Sequence, residues 1–319
     1  MALGEFELID RYFRRPVKHA ALGVGDDCAL LAIAPGMQLA TSSDMLVEGR
    51  HFLSTVAPER LGHKALAVNL SDLAACGARP LAFTLSLAMP RAEESFLEGF
   101  SRGLLALAAE HDCELIGGDT TQGPLTICIS IFGEVPAGAA LLRTGARAGD
   151  DVYVSGQVGD ARLALEAFRG SFALDGAAFE QVRQAMEQPQ PRVGLGLALR
   201  GIASSAIDVS DGLLGDLGHI LRSSRVGATI EVDTLPRSVV LAAQPIAVQR
   251  QCTLAGGDDY ELVFTAANEA ASAVQAAAGR AGVAVTRIGR IDEQASVRLV
   301  DRRGDAVAGG FGSFDHFRS

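Results

Sequence analysis

Leu115-Ile116-Gly117-Gly118-Asp119-Thr120-Thr121 is a short apolar run that ends in two glycines, a carboxylate and two hydroxyls. The apolar start reads as a strand over 115–117. The glycines admit unusual backbone angles and close approach of another group. Asp119 is therefore expected at a strand end or in a tight turn, where a rigid scaffold presents site residues. The same grammar recurs in Gly25-Asp26-Asp27, Ser42-Ser43-Asp44, Ser71-Asp72, Asp208-Val209-Ser210-Asp211-Gly212 and Gly256-Gly257-Asp258-Asp259.

Working outward from that stretch, hydrophobic periodicity predicts helices over 4–15, 59–75, 95–110, 160–168, 192–200, 212–223 and 269–281. Strands are predicted over 29–33, 38–46, 81–88, 125–135, 151–155, 206–209, 229–232, 261–265 and 297–300. Asn69 and Asp72 are three apart and share one face of their helix. Residues 136–149 are small and flexible and read as the seam between two halves. Residues 170–191 are polar and punctuated and read as a surface excursion. Strands and helices alternate in both halves, so the fold class is α/β or α+β.

Composition narrows the function. The 319 residues include 28 basic and 38 acidic side chains, a formal net charge of −10. That balance argues against a broad nucleic-acid surface. It does not exclude a phosphorylated ligand, because metal ions can sit between carboxylates and phosphates. There is no Trp, so base-stacking platforms are not expected. Cys28, Cys76, Cys113, Cys128 and Cys252 form no CxxC pair, which predicts reduced, mostly buried thiols. The N-terminal MALGEFELIDRYF lacks the apolar core of a signal peptide, and no run reaches the roughly 20 apolar residues of a membrane span. A soluble, cytoplasmic protein with no nucleic-acid or membrane partner is expected.

Several nucleotide-binding patterns are absent. There is no GxxxxGK[ST]; Gly23-Val24-Gly25 runs into two aspartates, and Gly194-Leu195-Gly196 lies in an apolar helical run. What remains is carboxylates beside Gly and Ser at element ends. Singly, each has an ordinary reading. Asp211 could cap the helix that follows it, Asp72 could sit on a solvated helix face, and Asp26-Asp27 could shape a turn. Jointly, converging carboxylates repel one another unless cations neutralise them. Oxygen ligands without His or Cys clusters point to Mg²⁺ or Mn²⁺, and such metals suit a nucleoside triphosphate undergoing phosphoryl transfer.

The motifs GEFELI (4–9), GVGDDCALL (23–31), TSSDMLVEGRHF (41–52), NLSDLAACGARP (69–80), LIGGDTT (115–121), RTGARAGDDVYVSG (143–156), IDVSDGL (207–213) and GGDDYEL (256–262) together resemble the thiamine-monophosphate kinase family. Its superfamily includes aminoimidazole ribonucleotide synthetase, selenide water dikinase and a hydrogenase maturation protein. The resemblance implies Mg²⁺-dependent, direct in-line transfer of the ATP γ-phosphoryl group to thiamine monophosphate. It implies two domains: a ferredoxin-like N-terminal sheet domain over 1–138 that binds ATP and metal and dimerises, and an α/β domain over 139–319 that completes an ATP cleft. Carried over by position, Asp27, Ser42, Ser43, Asp44, Asp72, Asp119, Asp208 and Asp211 would hold several Mg²⁺ ions, with Asp44, Asp72, Asp119 and Asp208 as the catalytic set. Gly118, Asp119, Arg143 and Ser210 would contact ATP. His51, Asp258 and Phe314 would contact thiamine monophosphate, although the family usually has Glu where this chain has Asp258. Phe100 lies near the family's adenine-side aromatic, but its place on the apolar stripe of helix 95–110 favours the core. A homodimer is implied. Other members of the superfamily, or a non-catalytic nucleotide-binding module, are the alternatives.

Overall fold

The computed structural model describes residues 4–312. The chain divides into two compact units. One contains the described residues up to Leu73 together with Ala78–Gly138; the other contains Ala74–Gly77 and the described residues from Ala139 onward.

The first unit opens with α1 (Glu5–Tyr12) and a small antiparallel pair, β1 (Ala20–Leu22) and β2 (Leu30–Leu31). Then follow β3 (Met37–Val47), α2 (Pro58–Ala75), β4 (Arg79–Met89), α3 (Glu94–Glu110), β5 (Glu114–Gln122) and β6 (Thr126–Pro136). The four long strands form one sheet in the order β3-β6-β4-β5, with β4 and β5 parallel and the other pairs antiparallel. Strand alternation separates its faces. On one face Phe83, Leu85 and Leu87 of β4 lie opposite Ile131, Ile129 and Ile127 of β6, and all six are buried. Leu66, Leu70 and Leu73 of α2 and Leu97, Phe100 and Leu104 of α3 are buried as well. Each such side chain contributes roughly 1.5–3 kcal/mol on leaving water. Phe100 is fully buried and stacks on Phe96 at 5.7 Å, the core role its helix stripe predicts. Leu39, Thr41, Ser43 and Met45 of β3 are exposed, whereas Ser42 and Asp44 are half-buried.

The second unit contains β7 (Asp151–Ser155), α4 (Asp160–Phe168), α5 (Gly176–Glu187), α6 (Val193–Leu199), β8 (Ser205–Asp208), α7 (Leu213–Ser224) and β9 (Gly227–Glu231). It continues through α8 (Val239–Ala242), α9 (Ile246–Ala255), β10 (Leu262–Ala266), α10 (Ala271–Ala281), β11 (Val285–Asp292) and β12 (Val297–Val300). The sheet order is β12-β9-β11-β7-β10-β8, antiparallel except for the β12–β9 pair. Leu262 pairs with Asp208, and Val285 pairs with Ser155. One end of the sheet therefore carries the loops 156–159, 209–212 and 256–261.

The structure departs from the sequence reading at definite places. Residues 170–191 are not an excursion throughout: Asp175 caps α5 by accepting from Ala178 N at 2.8 Å, and Val182 and Met186 bury its inner face. Its polar outer face hid the period. β11 and α9 had no clear signal, because Arg287 and Arg290 interrupt one and Gln249, Arg250 and Gln251 interrupt the other. β5 runs on past the glycines, so Asp119 lies inside a strand and not at its end. The thiols are less uniformly buried than expected: Cys113 and Cys252 are buried, Cys76 and Cys128 intermediate, and Cys28 exposed. Burial pushes the Cys252 thiol up to about 12. Among the described residues no helix is long and apolar enough to cross a membrane.

Candidate active site

In the first unit, β3 and α2 bring two of the predicted motifs together. Ser42 Oγ donates to Asp72 Oδ2 at 2.5 Å. Two residues along β3, Asp44 N donates to Asn69 Oδ1 at 3.1 Å. Asn69 and Asp72 thus use their shared helix face to grip alternate residues of one strand. Ser43 points to the other side, where its hydroxyl meets Ser130 Oγ at 3.0 Å and Ile129 O at 3.1 Å. Asp119 is exposed and in register with Ser86 across β4. Gly118 makes that register possible: its φ is +149°, and a Cβ there would stand 1.8 Å from Leu85 O. Asp27 is exposed in the loop between β1 and β2, its N–H held by Asp26 Oδ1 at 2.8 Å.

His51 follows β3 in a tight turn, with its own N–H on Val47 O at 3.0 Å. The ring Nδ1 accepts from Val47 N at 3.0 Å, and the buried Lys64 donates to His51 O at 3.2 Å. An acceptor at Nδ1 puts the neutral ring's proton on Nε2.

In the second unit, IDVSDGL and GGDDYEL pack against each other. Asp258 N donates to Ser210 O and Tyr260 N to Val209 O, both at 2.8 Å. Val209 N donates to Glu261 O at 2.7 Å. Gly257 permits this approach, since a Cβ there would lie 2.3 Å from Ser210 O. Asp258 and Tyr260 both hold positive φ, +68° and +51°, and the Tyr260 hydroxyl donates to Asp258 Oδ1 at 3.1 Å. Such backbone strain in a loop persists only where neighbours over-determine it. Asp208 closes β8 and is buried. Arg143 is exposed, and its segment docks on the end of α7: Gly145 N and Ala146 N donate to Ser224 Oγ at 3.1 and 3.2 Å. Burial holds the His219 imidazole below its ordinary range; Arg222 and Arg143 push the same way and Asp211 opposes. Arg143 and Asp211 therefore act on one neighbourhood. Phe314 lies outside the described residues.

The carboxylates divide by what they do. The N-cap of α7 is Gly212, not Asp211. Asp216, in the first turn of α7, reaches back onto the preceding loop: its Oδ2 accepts from the N–H groups of Ser210, Asp211 and Gly212. Burial, and next the Asp211 carboxylate, push Asp216 up to about 7, against those three bonds. Asp259 is likewise internal: Gly159 N reaches both of its oxygens at 2.9 Å, and burial holds its pKa far above the carboxylate range. Glu261 accepts from Arg192 Nε and Nη2 at 2.7 and 2.5 Å and from Ser155 Oγ at 2.5 Å. Asp216 was missed in the sequence; its only signal is an acid in the first turn of a helix that begins on glycine.

The donor chemistry of the candidate metal residues is uniform. Asp27, Asp44, Asp72, Asp119, Asp208 and Asp211 offer carboxylates and Ser42 a hydroxyl, whereas the predicted Ser43 hydroxyl is turned to the opposite face of β3. Hard oxygen donors fit Mg²⁺, which takes one or two carboxylates and completes its shell with water and substrate phosphates. Among the described residues no three His, Cys, Asp or Glu side chains group to hold a metal ion by themselves.

Residues 25–135 match the AIR synthase related protein, N-terminal domain, and residues 147–302 match the corresponding C-terminal domain. Thiamine-monophosphate kinase of Salmonella typhimurium is 45% identical over 323 residues, 99% of this chain and 99% of that protein. The crystal structure of thiamine-monophosphate kinase from Stenotrophomonas maltophilia K279a superposes with a TM-score of 0.85 at 45% identity, covering 91% of this chain and 92% of that one. AaThiL complexed with AMPPCP and TMP superposes at 0.78 with 30% identity, covering 90% and 89%. Matched at this identity along nearly its whole length, the chain belongs to the thiamine-monophosphate kinase family.

Proposed function

We propose that this protein transfers the γ-phosphoryl group of ATP to the phosphate of thiamine monophosphate, giving thiamine diphosphate and ADP. The observation that carries this reading is the near full-length identity to thiamine-monophosphate kinase. The oxygen-donor residues on β3, α2, β5 and β8 support it, as does a related structure complexed with AMPPCP and TMP.

The acceptor is already an anionic phosphate, so no strong general base is needed. The barrier lies in bringing two anions together in line. Asp44, Asp72, Asp119 and Asp208, with Asp27, Ser42 and Asp211, are the residues proposed to hold Mg²⁺, which when bound supplies charge neutralisation to the phosphates; the Ser43 hydroxyl faces the other side of β3, against Ser130 and Ile129 O, and is left out of the set. Ser42 orients Asp72 through its hydroxyl, and Asn69 fixes the backbone at Asp44. Gly118, whose missing side chain makes room for Leu85 of β4, and Asp119 are proposed to contact the nucleotide. Arg143 presents a planar fork suited to phosphate oxygens, and Ser210 offers a hydroxyl. His51, with its proton on Nε2, is proposed to donate to thiamine monophosphate, and Asp258 and Phe314 to contact the same substrate.

The first unit is proposed to bind metal and nucleotide and to dimerise, and the second to complete catalysis. The exposed row Leu39, Thr41, Ser43 and Met45 on β3 supports a homodimer in which a second copy covers that face. A cytoplasmic location, where ATP is supplied, is part of the proposal. A coupled ADP-release assay with Mg²⁺ and either thiamine or thiamine monophosphate tests the whole reading. Turnover of free thiamine but not of the monophosphate refutes it, and light scattering showing only monomer refutes the dimer.

A further inference from the structure

We propose that Asp216 is a positioning residue for the nucleotide: its buried carboxylate holds the Ser210-Asp211-Gly212 loop in the shape that presents Ser210 and Asp211 to ATP. This inference rests on the assignment of Ser210 and Asp211 under the proposed function.

The geometry is unusual for a helix start. Asp216 is the fourth residue of α7 and only 3% exposed. Its Oδ2 accepts three consecutive backbone N–H groups, from Ser210 at 3.0 Å, Asp211 at 3.1 Å and Gly212 at 3.1 Å. A helix commonly has its first N–H groups satisfied by a Ser, Thr, Asp or Asn at the N-cap. Here the N-cap is glycine with φ +119°, and a Cβ on it would meet Ala255. Asp216 reaches back from inside the helix to the three N–H groups that precede it.

The same loop is held from its other side. Ser210 O accepts from Asp258 N, and Val209 O accepts from Tyr260 N. The donors of the loop thus converge on Asp216 while its carbonyls bond the 256–261 loop. Removing the Asp216 carboxylate releases one side of this clamp and leaves the other in place. The consequence is a loop that still exists but samples several shapes, so that ATP must select the competent one. Nucleotide affinity then falls by the fraction competent.

The test compares Asp216→Ala and Asp216→Asn with Ser210→Ala and Asp211→Asn in the full-length protein. We expect Asp216→Ala to raise KM for ATP about tenfold, in the range found for groups that orient ligating residues. Binding of a non-hydrolysable ATP analogue in Mg²⁺, measured by calorimetry, should weaken equally. KM for thiamine monophosphate should stay within about twofold. Asp216→Asn keeps one acceptor oxygen and should show a smaller but measurable selective rise in ATP KM. If Asp216→Ala does not fold, Asp216→Asn carries the test, with faster amide exchange at 210–212 and a selective rise in ATP KM expected. A variant that lowers Tm but leaves analogue binding and ATP KM unchanged overturns the proposal, as does an equal rise in both KM values. Unchanged ATP binding in Ser210→Ala and Asp211→Asn instead overturns the nucleotide assignment of the loop itself. Normal Asp216 variants beside impaired Ser210 and Asp211 variants overturn positioning alone.

Discussion

Ser42 Oγ lies 2.5 Å from Asp72 Oδ2, a hydrogen bond between the middle of β3 and α2 that joins residues 30 positions apart. The bond fixes one carboxylate oxygen of Asp72. Ser42→Ala removes that partner, which should cost about 1 kcal/mol of stability and loosen the carboxylate. Turnover should fall about tenfold, as for loss of a group orienting a ligand. Asp72→Asn should fall further, by about 100-fold, because it removes the carboxylate itself. Steady-state kinetics with chemical unfolding of the same variants check both figures. Equal kinetics in Ser42→Ala and wild type would separate the bond from function.

Asp119 is exposed on β5, so its replacement should leave the fold intact. Asp119→Asn keeps the shape and removes the charge. Turnover should drop by at least about 100-fold, with circular dichroism and Tm close to wild type. Near-normal activity would remove Asp119 from the catalytic set.

Arg192 and Glu261 form a bidentate pair with side chains 22% and 6% exposed. Ser155 Oγ completes the carboxylate's partners. Arg192→Met leaves Glu261 buried against one hydroxyl. Breaking such a pair costs about 3–5 kcal/mol, and at roughly 2–4 °C per kcal/mol the loss is readable as a fall in Tm. A calorimetric scan that moves by less than a degree would show that Glu261 is well accommodated without its cation.

His111 caps the end of α3, and its imidazole is held below the ordinary value of 6.5 mainly by burial. Nearby His63 adds to this, and Glu110 opposes it. The folded state therefore takes up the proton less readily than the unfolded chain. This contribution to stability is fully present above pH about 6.5 and is lost as pH falls through the depressed folded value. His111→Gln should show a shallower fall in Tm between about pH 7 and pH 5 than wild type. Parallel curves would assign the acid sensitivity to other groups.

Local patterns in the sequence determined a good deal. Apolar spacing placed α3, α7 and α10 to within a residue or two. Motif grammar pointed to Asp44, Asp72, Asp119 and Asp208, and the combined motifs pointed to the family. These features are legible because period and glycine placement report the backbone within a few residues. The tertiary structure alone decided which aspartates turn inward. Asp211 and Asp216, like Asp258 and Asp259, look alike along the chain. Sheet register and loop packing turn Asp216 and Asp259 inward onto backbone N–H groups. Register likewise carries β5 past Gly118, so that LIGGDTT is part of a strand and its aspartate faces solvent from within the sheet. Contacts such as Ser42 with Asp72, or Ser210 with Asp258, join segments that no local period relates. They follow from how strands pair, and strand pairing is fixed by burial summed over the whole sheet.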